Sequence, residues 1–236
     1  MVPVTTAWLT AFIDVPPTLH GRTAAFWSTV TGSTLSNARG ANGEFTTLVP
    51  PDGDAYLRIQ RIERGQAGVH LDVHSPEADF EPGRSPGGFA FCDVWGEEDA
   101  RPVPRIWAGG HTSLVDQVTL DIAPAAYEEE CAFWVAKTGW ELAETSRPEL
   151  RTLVRPSGQP LRVVLQRLDD ASDTFGSAQV RAHLDIATSD RALETGRHRE
   201  FGATVLRVRE RWTVMCDPAG TPYCITDRDP YTGLLA

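Results

Sequence analysis

Apolar and polar residues alternate from Leu9 to Val15 and again from Leu114 to Ile122, the period of two that gives a half-buried strand one apolar face. Each run is followed by helical spacing. The second of these helices is predicted over Ala125 to Thr138, with Pro124 at its start and Glu128, Glu129 and Glu130 near its positive end. Phe133 and Trp134 supply its buried stripe and Gly139 its stop. The first helix is predicted over Thr18 to Thr31, closed by Gly32. Short β-rich runs come next, Phe45 to Val49 and Ala55 to Ile62, joined through Pro50-Pro51-Asp52-Gly53, whose turn chemistry is strong. Late in the chain the pattern predicts a strand at Ala182 to Ala187 and a helix at Asp190 to Phe201. Strands then follow at Thr204 to Arg209, Trp212 to Asp217 and Pro222 to Thr226, the last two parted by Asp217-Pro218-Ala219-Gly220.

These elements occur twice. Ala11-Phe12-Ile13-Asp14-Val15 is answered by Val118-Thr119-Leu120-Asp121-Ile122, and Phe26-Trp27 by Phe133-Trp134. Ile59-Gln60-Arg61 returns as Leu165-Gln166-Arg167, and His70-Leu71-Asp72-Val73 as His183-Leu184-Asp185-Ile186. Self-similarity at this period means two homologous domains. The second copy holds a helix and a strand between its His and Cys that the first has no room for, so the first domain is expected to be truncated. The expected division is 1–95 for the truncated domain, 96–113 for a linker rich in proline and glycine, and 114–236 for the complete domain.

Composition narrows the partners. The formal net charge is −10 with acidic residues scattered, so neither nucleic acid nor a membrane surface is an expected partner. Arginine supplies almost all the positive charge, Lys137 being the single lysine, as the codon bias of a GC-rich bacterial genome would give. No basic leader precedes an apolar core, and no apolar run is long enough to span a bilayer. A cytoplasmic protein is expected. The four cysteines, Cys92, Cys131, Cys216 and Cys224, lack C-x-x-C spacing and are expected to be reduced.

A strand-helix-strand-strand unit ending its helix in Phe-Trp and Thr-Gly, then a His-Leu-Asp strand, then Asp-Pro-x-Gly before a short last strand, resembles the vicinal oxygen chelate superfamily. The likeness is to its glyoxalase-like, bleomycin-resistance and extradiol dioxygenase branch. The resemblance implies an α+β fold of paired βαβββ modules, two domains with the first truncated, each pair curving into a cup that binds a small molecule, often with a divalent metal. Carried onto this chain, the family's four metal positions are Gln117, Gln166, His183 and Cys224 in the second domain, and Thr10, Gln60, His70 and Cys92 in the first. Both carboxylate positions are lost and two of the four residues are neutral amides, a poor set for a hard cation. No metal or other cofactor is therefore expected, the metal-loaded protein remaining the alternative.

Alternation puts Gln117, Thr119 and Asp121 on one face of their strand, and His183 and Asp185 on one face of theirs. A polar floor of this kind suits a ligand cup. His183 and Asp185 are the catalytic candidates, a carboxylate-supported imidazole near neutrality serving as general base or as a ligand anchor. Gln117, Thr119, Gln166, Cys224, Trp140 and Trp212 are the ligand-binding candidates, the two tryptophans as flanks of the cup. The function expected from the resemblance is small-molecule binding in the second domain, with metal-independent acid-base chemistry. A drug-sequestering protein with an acidic rim for a cationic antibiotic, a metal-dependent lyase, isomerase or dioxygenase, and a pure scaffold are the alternatives. The chain is expected as a monomer, its modules pairing internally, or as a homodimer.

Overall fold

The computed structural model describes residues 6–96, 98–169 and 180–235; residues 1–5, read above for a leader, lie outside them. The first copy of the repeat forms β1 (Trp8–Val15), α1 (Pro17–Thr31), β2 (Thr34–Leu35), β3 (Phe45–Val49) and β4 (Leu57–Arg61), then β5 (Gly68–Ser75), β6 (Glu81–Arg84) and β7 (Ala90–Trp95). After β8 (Arg105–Ile106) the second copy forms β9 (Thr112–Ile122), α2 (Tyr127–Thr138), β10 (Leu142–Glu144), β11 (Leu150–Leu153) and β12 (Arg162–Arg167). It ends with β13 (Val180–Thr188), α3 (Arg191–Glu200), β14 (Thr204–Val208), β15 (Trp212–Cys216) and β16 (Pro222–Thr226).

The result is α+β, with two sheet-rich domains and few helices. The seven-stranded sheet runs β2-β3-β4-β1-β5-β7-β6, and the other runs β10-β11-β12-β9-β13-β16-β15-β14 with β8 paired to β9. One rule builds both. The first strands of paired modules lie antiparallel at the sheet centre, β1 on β5 and β9 on β13, and each module's last strand returns parallel to its own first strand. In the first sheet the second module has only β5, β6 and β7, with no helix after β5, where the other copy has α3 and one more strand.

Two sequence expectations change here. The stretch 96–113 is not only linker: Arg105 and Ile106 pair with Ser113 and Thr112, so it closes a hairpin on the second sheet. The Pro/Gly-rich stretch after β5 holds a strand, β6, against β7. Proline sits on the outer edge there, where a missing N–H breaks no ladder.

Each long helix serves the opposite sheet. Trp27 of α1 packs edge-on to Tyr223 of β16 and donates from Nε1 to Asp217 Oδ2 at 3.0 Å. Trp134 of α2 packs against Phe89 and Phe91 beside β7, and Glu130 of α2 accepts from Ser85 Oγ at 2.6 Å and Gly87 N at 2.5 Å. Both helices end on glycine in the left-handed region, Gly32 and Gly139, with φ 68° and 70°. This exchange leaves the polar face of the second sheet free to line a cavity.

Candidate functional site

The cavity lies in the second domain and has a volume of about 330 Å³, at the small end for a ligand site. Its floor comes from strands whose outward faces alternate away from the core. Gln117 and Thr119 project from β9, His183 and Asp185 from β13, and Cys224 and Thr226 from β16. Val118, Leu120, Leu184 and Ile225, one residue out of phase, are buried in the core. Thr119 faces His183 across the β9–β13 ladder, Gln117 faces Asp185, and Asp185 in turn faces Cys224 across β13–β16.

Hydrogen bonds tie the floor together. His183 Nδ1 lies 2.9 Å from Asp121 Oδ2, and its Nε2 lies 3.4 Å from Asp185 Oδ1. Asp185 Oδ2 accepts from Thr119 Oγ1 at 2.7 Å and from the Gln117 amide. Asp185 Oδ1 is buried without a hydrogen-bond partner. Burial lowers the basicity of the His183 imidazole, but Asp121, Asp185 and Cys224 outweigh it and hold the ring well above the ordinary histidine range. Burial raises the Asp185 carboxyl, and His183, Arg228 and Thr119 more than reverse that, holding it low. The Cys224 thiol is pushed up, chiefly by burial. His183 thus sits between two carboxylates, Asp121 and Asp185, whose charge favours its protonated form against burial.

The walls are of a different kind. Leu150, Thr152 and Val164 rise from β11 and β12, Trp212 from β15, and Leu234 and Leu235 close one side. Arg147, Arg162, Arg211 and Arg228 line the cavity against a single further carboxylate, Glu149. Among the described residues that line the cup, arginines thus outnumber carboxylates, against the acidic rim expected for a cationic ligand. Arg147 lies over the Trp212 ring at 4.8 Å and pairs with Glu149.

Six of the seven other sequence candidates line the cup with His183: Asp185, Gln117, Thr119, Gln166, Cys224 and Trp212. Trp140 does not. It is 3% exposed and packed in the hydrophobic core, because it follows the Gly139 reversal that turns the chain inward. The set Gln117, Gln166, His183 and Cys224 does not converge either. Gln166 pairs with Asp121, four residues along β9 from Gln117 and so about 13 Å away at ~3.3 Å per residue.

The first domain carries the same residues in a filled cup. His70 Nδ1 lies 2.7 Å from Asp14 Oδ2, and Asp72 faces Cys92 across the ladder. Where the second domain has Thr119, the first has Phe12, whose ring stacks on His70 at 4.5 Å. Arg58 lies over Phe12 and reaches Asp72 at 3.6 Å. Comparing the copies position by position also identifies what the motif reading missed: Arg162 stands where the first copy has Tyr56, and Val164 where it has Arg58. Such differences between repeats were the available signal for Arg162, whereas Arg228 has no periodic signal at all.

The model for a glyoxalase-like domain matches residues 11–87 and 117–226, well over half of the chain. The chain belongs to the glyoxalase-like domain family. No curated protein sequence matches it. Among solved structures, it is similar to 2,2',3-trihydroxybiphenyl 1,2-dioxygenase from Sphingomonas wittichii, with 12% identity, a TM-score of 0.59, and 92% of this chain and 88% of that chain covered. It is also similar to the Mn(II)-bound glyoxalase from Novosphingobium aromaticivorans, with 11% identity, TM-score 0.59, and 96% and 85% covered. Homoprotocatechuate 2,3-dioxygenase from Brevibacterium fuscum gives 14% identity, TM-score 0.59, and 99% and 75% covered. At these identities the likeness shows the vicinal oxygen chelate fold alone. Among the described residues no helix is long and apolar enough to cross a membrane.

For a glyoxalase-like domain the question of a metal turns on the donors. One ligand atom each from His183, Asp185 and Cys224 lie within 4.8 Å of one another. His183 has its Nδ1 braced by Asp121, leaving Nε2 as the donor, and Asp185 has its Oδ2 braced by Thr119 and Gln117, leaving Oδ1, which accepts no hydrogen bond and lies 3.4 Å from that Nε2. Such outer bracing is what orients metal ligands. One imidazole, one carboxylate and one thiolate fit a borderline ion such as zinc better than a hard one. Asp185, rather than Gln166, is thus the residue that completes a possible set.

Proposed function

We propose that this glyoxalase-like protein binds a small organic molecule in the cup of its second domain, over the His183, Asp185 and Cys224 floor. The observation that carries the reading is the contrast between the two copies. The same His-Asp-Cys triplet occurs in both, yet only in the second is the space above it lined by small or polar groups, Thr119 and Val164, instead of Phe12 and Arg58. On this floor His183 Nε2, held only at 3.4 Å from Asp185 Oδ1, is the group that meets an oxygen of the bound molecule. Catalysis by the floor and plain sequestration both use this binding step. The test is a ligand screen against the wild type and His183→Ala: turnover lost in the variant supports chemistry, and binding only modestly weakened supports sequestration. Indifference of every ligand to His183→Ala speaks against the site.

A second reading is favoured by Asp185 Oδ1, which accepts no hydrogen bond and lies 3.4 Å from His183 Nε2. His183 Nε2, Asp185 Oδ1 and Cys224 Sγ would hold a divalent ion, leaving a position open for the bound molecule. Such an ion supplies Lewis acidity toward an oxygen. Elemental analysis of protein grown with zinc, manganese, iron, nickel and cobalt decides between the readings: about one ion per chain, lost in Cys224→Ser, supports the second, and metal-free protein that still binds ligands supports the first.

A further inference from the structure

Among the described residues, the guanidiniums at one end of the cup are out of balance with the acids around them. Arg228 clamps the fully buried Asp116 through Nε, at 3.3 Å, and Nη2. That uses the nearest carboxylate. Arg162, on the neighbouring strand and directly across the ladder from Gln117, donates from Nη1 to the carbonyl of Gly233. Behind it, Arg155 donates to the Pro160 carbonyl at 2.7 Å, and Arg101 to the carbonyls of Tyr231 and Pro230 at 2.8 and 3.0 Å. Three of these four cations thus have backbone oxygens as hydrogen-bond partners, which carry no charge to offset theirs. Arg155 is pushed down to about 10, first by burial and then by the positive fields of Arg101, Arg162 and Arg228. Burial and Arg228 depress Arg162 in the same way.

Half-buried positive charge without a matched anion is costly, and of these cations Arg162 meets the cup where a ligand would lie. We propose that the cup selects a small organic monocarboxylate, its charged group gripped by Arg162 beside Arg228 and its apolar body lying between Trp212 and Leu234. The proposal rests on the cup being the ligand site. A guanidinium fork matches the two oxygens of a carboxylate, and one hydrogen bond to Gly233 leaves the other N–H groups of Arg162 for it. A dianion fits less well, since Asp116 and Asp185 both border the arginines. The segment from Asp229 to Leu235 forms the wall at this end. Asp229 Oδ1 accepts from the backbone N–H groups of Tyr231 and Thr232, so the turn is rigid, and Gly233, at φ 73°, fits against Arg162 and Asp116 where a Cβ would crowd both.

The experiment titrates benzoate and 3-phenylpropionate, their neutral amides and the matching amines, by saturation-transfer NMR, against wild type, Arg162→Met, Arg162→Lys and Thr152→Trp, whose indole fills the cup. Thermal melts check that each variant is folded. The carboxylates are expected to bind wild type more than about tenfold more tightly than the amides, and amines weakest of all. Arg162→Met is expected to erase that preference, with Arg162→Lys intermediate. Amides binding as well as carboxylates, an unaffected Arg162→Met, or no carboxylate binding at all each overturns the proposal. Amides displaced by Thr152→Trp without any carboxylate preference would leave the cup reading standing, whereas carboxylates that still bind Thr152→Trp would remove the cup reading too.

Discussion

Replacing Glu130 with alanine should cut the tie by which the helix of one domain holds the sheet of the other. The carboxylate is fully buried on α2. Its Oε1 accepts from Ser85 Oγ and Gly87 N in the turn between β6 and β7, and its Oε2 from Trp134 Nε1 at 2.9 Å. Truncation removes the acceptor of three donors: the Gly87 amide and the Trp134 indole cannot turn elsewhere, whereas the Ser85 hydroxyl is free to rotate and still accepts from Phe89 N. At about 1–3 kcal/mol for each stranded buried donor, less the relief of no longer burying a carboxylate, the loss should be about 3 kcal/mol. Glu130→Gln keeps one acceptor but turns an amide N–H toward one of the donors, and about half that loss is expected. Urea unfolding followed by tryptophan fluorescence gives both values, and a double-mutant cycle with Ser85→Ala should show coupling. A loss below about 1 kcal/mol for Glu130→Ala would refute the view that this carboxylate joins the domains.

Three further expectations follow from the same reasoning. His198, fully buried between Glu194 and Tyr223 Oη, is held below the usual histidine range by burial and by the positive charges of Arg197 and His111, against Glu194. An unfolded histidine takes a proton that this one resists, so stability should fall as pH drops below about 6.5. Glu194 is held low because Arg197 and His198 outweigh burial, so its contribution is present above the unfolded carboxylate range and lost as pH falls through it. Urea midpoints measured from about pH 7 to 5 should decline in wild type and flatten in His198→Gln; an equal decline in the variant would locate the acid sensitivity elsewhere. The two tryptophans once grouped as cup flanks should separate: Trp140→Ala should cost about 3–5 kcal/mol, whereas Trp212→Ala should leave the melting temperature nearly unchanged and weaken ligand binding. Opening the first cup by Phe12→Ala should cost about 3 kcal/mol and create no ligand affinity to match the second.

Much of this molecule is legible in one sequence because it is written twice. Alternation in Leu114 to Ile122 put Gln117 and Thr119 in the cup lining, with Asp121 on the same face bracing His183, since a strand's period of two leaves no freedom once one face is buried. Trp140 misled because it follows a glycine reversal, where no period carries facing information. The donor grouping misled for a different reason. Positions carried over from a family put Gln166 with His183, but cross-strand register decides which side chains meet, and it pairs Gln166 with Asp121 while bringing Asp185 to Cys224. Arg228 was invisible because it lies beyond the last strand, held by Asp116 from a distant strand, a contact that local pattern cannot encode.

The most direct test of the central claim is a saturation-transfer screen of a library of small organic molecules against wild type, Thr152→Trp and His70→Ala. Ligands should bind wild type, be lost when Thr152→Trp fills the second cup, and be indifferent to His70→Ala in the first. Ligands that survive Thr152→Trp, or that disappear with His70→Ala, would contradict the assignment of the site to the second domain.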